Sequence, residues 1–174
     1  MTQATQDDAN APLSYSNAEL LAILSATRTI AMVGASPKWN RPSYFAMKYL
    51  QEKGYRVIPV NPGHAGKEIL GETVYAALAE IPGKIDMVDI FRNSEAAGPV
   101  TDEAIAVAKE KDIKVVWMQL GVVNHDAAGR ARAAGLTVVM DRCPKIEFGR
   151  LHSELSWGGF NSGIITAKRR KVTL

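Results

Sequence analysis

The chain has 174 residues, and its formal net charge at pH 7 is +3. A chain of this length fits one domain with a sizeable core, so we expect no second catalytic domain. No apolar run approaches the ~20 residues needed to span a bilayer, and the polar residues 1–12 do not have the pattern of a signal peptide. These features predict a soluble cytoplasmic protein with no membrane partner.

The cysteine content and the placement of charge narrow the function classes further. Cys143 is the only cysteine, which excludes an internal disulfide and a multi-cysteine zinc site and suits a reducing compartment. The run from Lys168 to Lys171 carries four positive charges, more than the net charge of the whole chain. The basicity therefore belongs to a tail rather than to a folded face, and we expect no nucleic-acid partner.

In chain order, the segments predict a polar leader, one domain and an extension. Residues 1–15 are expected to be a disordered leader, 16–150 the domain, and 151–174 an extension that ends in the basic tail. A first helix should begin at Ser16 or Asn17 and place four apolar side chains on one face. These four are Leu20, Leu21, Ile23 and Leu24. Apolar runs follow at 29–34, 55–60, 85–91, 113–119 and 136–140, and helical stretches at 43–53, 74–81, 99–111 and 126–134.

Apolar strands that alternate with helices are typical of a parallel sheet covered on both faces. We therefore predict an α/β fold with a doubly wound, Rossmann-like parallel five-stranded sheet, helices on both faces, and the strand order 3-2-1-4-5. Such folds bind ligands at the carboxyl ends of the strands where the strand order reverses. Pro59 lacks the N–H of an interior strand residue, so we expect it near the strand's end or at a bulge.

The turn after the first strand has features of a phosphate-binding loop. Gly34 can serve as the turn glycine and Ser36 can offer a hydroxyl, but no acidic residue follows the second strand to bind a ribose diol. Cations are present instead, namely Lys38, Arg41, His64 and Lys67. This combination favours a ligand with an additional phosphate, either NADP or coenzyme A. The alternative is ordinary surface charge beside a degenerate turn.

Four segments of the chain form a longer pattern. They are Val33-Gly34-Ala35-Ser36; Val57 to Pro62 with Ile69-Leu70-Gly71; Trp117 to Val122 with Asn124; and Asp141-Arg142-Cys143 with Ile146-Glu147. Their order and spacing resemble the small stand-alone coenzyme A-binding proteins, whose fold is also the N-terminal domain of the succinyl-CoA synthetase α subunit. The similarity covers about residues 17–150, and it implies coenzyme A rather than NADP as the cofactor.

The resemblance also implies a set of cofactor-binding residues. These are Gly34, Ala35, Ser36, Lys38, Arg41, Pro42, Ser43, Asn61, Pro62, Gly63, Phe91, Arg92, Gln119 and Gly121. The turn 34–36 would hold the diphosphate, the two cations would neutralise phosphate charge, and 61–63 would line the nucleotide end. The last four residues would wall the pantetheine arm. His64 replaces the lysine of the corresponding Pro-Gly-Lys-Gly-Gly stretch of the synthetases, so the resemblance does not extend to that contact.

The sequence shows no catalytic constellation. The three histidines are too scattered for a metal site, and His125 is expected at a helix start. Asp86 and Asp89 are three residues apart, which sends their side chains to opposite faces of a strand. Because buried carboxyls need partners, we expect one of the two to lie at a strand end or to accept a hydrogen bond from a helix N-terminus.

Cys143 is the one candidate for a reactive group. It follows the last strand on the side where ligands bind, and we expect Arg142 and Lys145 to lower its pKa. The hypothesis is a redox role in which the thiol forms a reversible mixed disulfide with the thiol of coenzyme A. The alternative is a partly buried structural thiol.

Three functions therefore remain open. The first is a non-catalytic coenzyme A or acyl-CoA binder that acts as a sensor, a carrier or a partner, with a second copy of itself or an acyl-CoA enzyme as its protein partner. The second is an enzyme, either an NADP-dependent reductase or an acyl-CoA enzyme with a separate subunit. The third is a regulatory protein with a vestigial pocket. The lack of a catalytic constellation favours the first over the second, and the resemblance favours it over the third.

Overall fold

The computed structural model describes residues 13–152, which form a parallel sheet with helices on both faces. The helices are α1 (Asn17–Ala26), α2 (Pro42–Glu52), α3 (Ser94–Lys111), α4 (His125–Ala133) and α5 (Pro144–Leu151). The strands are β1 (Thr29–Val33), β2 (Arg56–Val60), β3 (Glu68–Ile69), β4 (Glu72–Thr73), β5 (Met87–Ile90), β6 (Val115–Met118) and β7 (Thr137–Val139). β3 and β4 pair as a separate antiparallel hairpin, and the other strands make the five-stranded sheet. The predicted fold class is confirmed.

The order of strands in the sheet differs from the expected one. It is β2-β1-β5-β6-β7, so the five sheet strands, counted along the chain, lie in the order 2-1-3-4-5. The prediction 3-2-1-4-5 is wrong because the third of these strands pairs with the first, where Val88 lies opposite Ala31. The chain still reverses direction across the sheet beside β1, so ligands are expected at the carboxyl ends of β1 and β5.

The segment after β4 occupies the outer edge of β2, the place that the expected order gave to the third strand. Tyr75 forms a parallel bridge with Val60, and its N–H donates to the carbonyl of Pro59 at 3.0 Å. Because the carbonyl of Pro59 faces outward, its nitrogen faces outward too, and the missing N–H removes no bond to β1. Pro59 is the fourth of five residues in β2, near the strand's end as expected.

The expected helix at 74–81 is absent, and only Leu78–Glu80 forms a short 3-10 helix. The N–H of Val74 donates to the carbonyl of Lys67 at 2.8 Å, and Tyr75 pairs with β2, so both residues are extended. Val74, Leu78 and Ile81 are nevertheless buried. The segment is therefore largely irregular in structure, and its helix-like spacing reflects three apolar side chains that are buried in the core.

α3 starts five residues earlier than expected, because Asn93 caps it. The Oδ1 atom of Asn93 accepts a hydrogen bond from the N–H of Ala96 at 2.8 Å. Pro99, which we expected at the helix start, lies inside the helix on an exposed position. The remaining helix and strand boundaries lie within about two residues of the expected ones.

Helices cover the two faces of the sheet in two groups. On one face α5 contacts both α1 and α2, and on the other α3 packs against α4. The side chains of β1 alternate between the two faces. Ile30 and Met32 pack in the core beneath α1 and α2, whereas Ala31 and Val33 pack in the core beneath α3 and α4. None of the helices within residues 13–152 is long and apolar enough to cross a lipid bilayer.

The beginning of the described chain is held against the domain. Ser16 and Glu19 form the capping box of α1, which confirms the expected helix start. Leu20 and Leu24 are buried, whereas Leu21 is exposed, so the apolar face is narrower than expected. Tyr15, assigned to the leader, accepts a hydrogen bond on its hydroxyl from the N–H of Met140 at 2.8 Å. The folded part therefore includes residues 13–15, and the rest of the leader and nearly all of the extension lie outside the described residues.

Candidate functional site

A cavity of about 770 Å³ lies at the carboxyl ends of β5 and β6, between the first turns of α2 and α5. Its walls are mainly apolar, with a few polar and cationic groups. They are formed by Pro42, Phe45, Ala46, Phe91, Arg92, Asn93, Gln119, Leu120, Val122, Cys143, Lys145 and Ile146. This is the edge of the sheet at which an open α/β fold binds its ligand.

The structure gathers some of the predicted site residues in this cavity and leaves others around it. Those that line it are Pro42, Phe91, Arg92, Gln119 and Cys143. The turn 34–41 leads directly into Pro42 and so lies beside the cavity. Ser43 is buried under the first turn of α2, and residues 61–63 and Gly121 are not among the lining residues.

Gly34 is required by the close approach of two strand ends. Its φ is +90°, and a Cβ atom at this position would lie 2.4 Å from the carbonyl oxygen of Phe91. A side chain here would therefore meet both backbone strain and a clash with the end of β5. The glycine signal in the sequence thus reflects the packing of β1 against β5 as well as space for a ligand.

The turn after Gly34 is held by two serine hydroxyls. The N–H of Ser36 donates to the Oγ of Ser43 at 3.1 Å, and the N–H of Lys38 donates to the Oγ of Ser36 at 3.2 Å. The backbone amide of Ser36 is thus already engaged. The hydroxyl hydrogen of Ser36 is not used by these bonds and can still be donated to a ligand.

Asn61 joins the turn after β1 to the loop after β2. Its Nδ2 donates to the carbonyl of Ala35 at 2.8 Å, and its Oδ1 accepts from the N–H of Gly63 at 3.0 Å. Both ends of the side chain are therefore used within the protein. Asn61 positions the two loops relative to each other, while Pro62 and Gly63 are exposed.

The two helices that start at the cavity differ from the others at their N-termini. Among the five helices of residues 13–152, α1, α3 and α4 are capped by the side chains of Ser16, Asn93 and Asn124. α2 and α5 begin with Pro42 and Pro144 and have no side-chain cap. The positive ends of both helix dipoles lie at the cavity. In α2, Tyr44 and Phe45 already donate to the carbonyl of Arg41, so within the described residues the N–H of Ser43 is left for an anion. In α5, the N–H groups of Lys145 and Ile146 donate to the Cys143 thiol.

Four cations surround the same region. Arg92 and Lys145 line the cavity, and Lys38 and Arg41 lie on the exposed turn before α2. Lys145 lies over the ring of Tyr49, with its Nζ 5.8 Å from the ring centroid. Within the described part of the chain, none of the four forms an ion pair with a carboxylate. The region is therefore positively charged and without internal neutralisation.

A fully buried carboxyl lies beneath the cavity. Asp89 is in the middle of β5, between Met32 and Trp117 of the neighbouring strands, on the face covered by α2 and α5. The Nε2 of Gln119 lies 2.8 and 3.1 Å from its two carboxyl oxygens. Burial raises the pKa of Asp89 to about 7, and the hydrogen bond from Gln119 opposes part of this rise.

Asp86 is the carboxyl that lies at a strand end, as one of the pair was expected to. It precedes β5 and accepts hydrogen bonds from the N–H groups of Arg28 and Thr29, both at 2.8 Å. His125 is the first residue of α4, which confirms the expected helix start. No group of three potential ligand residues within residues 13–152 is arranged to hold a metal ion.

Cys143 lies on the cavity wall, but its ionisation differs from our expectation. Burial raises the pKa of its thiol above the ordinary value, and the charge of Asp89 raises it further. The backbone N–H of Ile146 and the charge of Lys145 lower the pKa by less. The expectation of a lowered pKa is wrong because the thiol is 7% exposed and desolvation outweighs the nearby cation.

Sequence reasoning did not assign Phe45 and Ile146 to the site, and these are two of the three apolar side chains at the mouth of the cavity. Phe45, Leu120 and Ile146 line it and are 47%, 56% and 36% exposed. The available signal was the position of Phe45 and Ile146 on the outer faces of helices, where polar residues are usual. Without the fold, nothing related these two helices to the loop that carries Leu120.

Comparisons with known proteins agree with this geometry. The family model described as CoA binding domain matches residues 28–149. The uncharacterized protein YneT of Bacillus subtilis (strain 168) is 40% identical over 131 residues, which cover 75% of this chain and 93% of YneT. A solved structure of a hypothetical protein from Pyrococcus horikoshii OT3 is 36% identical, with a TM-score of 0.73 over 87% of this chain and 99% of that one.

A longer relative carries a similar segment. The α subunit of acetate-CoA ligase (ADP-forming) I from Pyrococcus furiosus is 34% identical over 93 residues, which are 51% of this chain and 19% of that protein. This match confirms the resemblance to the CoA-binding part of the succinyl-CoA synthetase-like enzymes. Because the family model matches residues 28–149, which are most of the chain, this protein belongs to the CoA binding domain family.

Proposed function

We propose that this protein binds coenzyme A or an acyl-CoA in the cytoplasm, without catalysis of its own, as a sensor, a carrier or a partner of an acyl-CoA enzyme. One observation carries the proposal. A mainly apolar cavity adjoins two uncapped helix N-termini and four cations that have no carboxylate partner among the described residues. Coenzyme A has the matching chemistry, because it joins a long neutral arm to a diphosphate and a 3′-phosphate.

The phosphates would bind at the turn before α2. The hydroxyl of Ser36 and the N–H of Ser43 at the start of α2 can donate to phosphate oxygens, and the helix dipole favours negative charge there. Lys38 and Arg41 supply positive charge on the same turn. No carboxylate follows β2 to bind a ribose diol, which supports a phosphorylated ribose.

The pantetheine arm would enter the cavity between α2 and α5. Phe91, Leu120 and Ile146 give it apolar walls, and Arg92 and Lys145 lie at its sides. Within this proposal Cys143 is a wall of the cavity. Its mixed disulfide with coenzyme A stays a prediction, and the raised pKa of the thiol opposes it.

Calorimetric titration of the full chain with coenzyme A, dephospho-coenzyme A and NADP tests the proposal. We expect coenzyme A to bind most tightly, and removal of the 3′-phosphate to weaken binding about tenfold, since charge-assisted hydrogen bonds are lost. Tighter binding of NADP would overturn the proposal in favour of a reductase. Absence of binding to all three would favour a vestigial pocket.

A matched pair of lysine variants tests the placement of the phosphates. Lys38→Ala should weaken coenzyme A binding about three- to tenfold, because it removes a cation beside the phosphates. Lys48→Ala makes the same change of net charge on an exposed position of α2 that does not line the cavity. Equal effects of the two variants would contradict a phosphate site at the turn.

A further inference from the structure

The amide of Gln119 is held in one orientation by Asp89. Its Nε2 lies 2.8 and 3.1 Å from the two carboxyl oxygens, and both side chains are buried. Above the Asp89 pKa of about 7 the group is a carboxylate, which only accepts hydrogen bonds, so the NH₂ end of the amide must face it. The carbonyl end, Oε1, then points away from Asp89.

That carbonyl oxygen has no hydrogen-bond partner within residues 13–152. In this part of the chain, every hydrogen bond of the Gln119 side chain involves Nε2, and Oε1 accepts none. Oε1 is also not one of the side-chain atoms that are sealed from solvent without a partner, which are Glu52 Oε2 and His64 Nδ1. Since Gln119 lines the cavity, an accessible acceptor is available to whatever occupies it.

The rest of the cavity wall makes this acceptor distinctive. Its neighbours in the wall include Leu120, Val122 and Ile146, which offer no side-chain hydrogen bond. A ligand that leaves Oε1 without a donor would bury an unsatisfied polar atom, which is costly in an apolar site. The Asp89 carboxylate behind the amide also polarises it and strengthens its carbonyl as an acceptor.

We propose that Gln119 Oε1 accepts a hydrogen bond from an amide N–H of the ligand's arm, and that Asp89 is the positioning residue that presents this oxygen. The inference rests on the proposed function, because the two secondary amides of a pantetheine arm are the donors that coenzyme A would carry into the cavity. It adds a polar subsite that recognises the arm of the ligand independently of the phosphates. A bound arm without an N–H at that point is disfavoured.

The experiment removes the N–H from the ligand and the acceptor from the protein. Coenzyme A and two analogues, each with one amide of the arm replaced by an ester, are titrated into the full chain by calorimetry. The measurements are made at pH 8.5, where a carboxyl with a pKa of about 7 is ionised. Adenosine 3′,5′-bisphosphate, which has no arm, is the control ligand. Gln119→Met replaces the amide by an apolar side chain of similar length.

The expected pattern separates this inference from the proposed function. One ester analogue should bind the native protein about tenfold more weakly than coenzyme A, the value of one hydrogen bond. Gln119→Met should bind coenzyme A about tenfold more weakly, should no longer discriminate the ester, and should bind the bisphosphate as before. If both analogues bind as tightly as coenzyme A, the subsite is refuted while the proposed function stands. If coenzyme A itself does not bind, both fail.

Asp89→Asn tests the positioning role while Gln119 is retained. An asparagine can donate or accept, so it no longer fixes the direction of the Gln119 amide. The affinity ratio between coenzyme A and the sensitive ester analogue should therefore fall from about ten towards one. A merely structural role of Asp89 would lower both affinities and leave the ratio unchanged, which would contradict the assignment. Should Gln119→Met fail to fold, the two analogues on the native protein and this variant still decide the question.

Discussion

Gly34 lies where the end of β1, the end of β5 and the edge of the cavity meet. The missing side chain lets the carbonyl of Phe91 approach to a distance that a Cβ atom would not allow. The sequence predicted this glycine through its place after an apolar strand, and the family resemblance predicted Phe91, Arg92 and Gln119 as site residues, which line the cavity. It could not identify the pairing of Asp89 with Gln119, because these two residues are thirty positions apart and meet only across neighbouring strands.

We predict that Gly34→Ala destabilises the protein more than Gly54→Ala does. Both glycines have a positive φ, +90° and +97°, so both substitutions carry backbone strain of order 1–3 kcal/mol. Only Gly34 adds a clash with backbone, since nothing lies within 4 Å of a Cβ atom at Gly54. Denaturant unfolding of the two variants measures the difference. Equal losses in the free energy of unfolding would show that the strand ends relax around the new methyl group.

At the scale of elements, some helix starts follow from local sequence, whereas the start of α3 lies five residues before the predicted one and the helix predicted at 74–81 is absent. Ser16 and Asn124 precede helices as caps, and both are readable from residue type. The prediction of a helix at 74–81 was wrong because the apolar spacing of this segment is helical, whereas its backbone hydrogen bonds go to β2 and to residue 67. Such long-range pairing is not encoded in local periodicity. The uncapped starts of α2 and α5 can be recognised as parts of one candidate site only when the fold shows that both lie at the same cavity.

The N-cap position of α2 gives a prediction that separates stability from binding. Arg41→Asn and Arg41→Ala remove the same charge, and both should weaken coenzyme A binding about three- to tenfold. Only asparagine can accept a hydrogen bond from the first turn of α2, so it should be more stable than the alanine variant by about 1 kcal/mol. Thermal unfolding and calorimetry of the two proteins measure both effects. Unchanged binding in both variants would place the phosphates elsewhere.

For the whole molecule, the alternation of strands and helices was enough to predict a five-stranded parallel sheet, but not its order. The two candidate orders differ in whether the third strand joins β2 or β1. That choice depends on the outer edge of β2, where Tyr75 pairs with Val60. A bridge of one residue pair leaves no recognisable pattern in the sequence. The position of the site was nevertheless predictable, because both orders reverse near β1.

The buried carboxyl in the sheet makes global stability depend on pH. Its pKa in the folded state, about 7, lies above the ordinary aspartate value of 3.8, so between these values the folded state binds more protons than the unfolded state. The free energy of unfolding should therefore fall as pH rises from about 4 to about 7, by up to about 1.4 kcal/mol per pH unit, and this contribution should be lost above the folded pKa. Asp89→Asn lacks this contribution.

Denaturant unfolding of the native protein and of Asp89→Asn across that pH range checks the prediction. Other titrating groups are common to both proteins, so the difference between the two curves isolates Asp89. The advantage of the native protein over the variant should shrink with rising pH. Parallel curves would mean that Asp89 ionises in the folded protein at an ordinary pH.

The outer edge of β2 also bears on how these molecules behave when crowded. An exposed edge strand offers unpaired N–H and C=O groups with which the strand of a second chain can pair, the first step of β-aggregation. Here Pro59 has no N–H to offer, and Tyr75 already occupies the carbonyl beside it. At the opposite edge β7 has only three residues, Thr137–Val139. Within residues 13–152, a foreign strand therefore finds no long row of free backbone groups at either edge of the sheet, which disfavours strand exchange between molecules at high concentration.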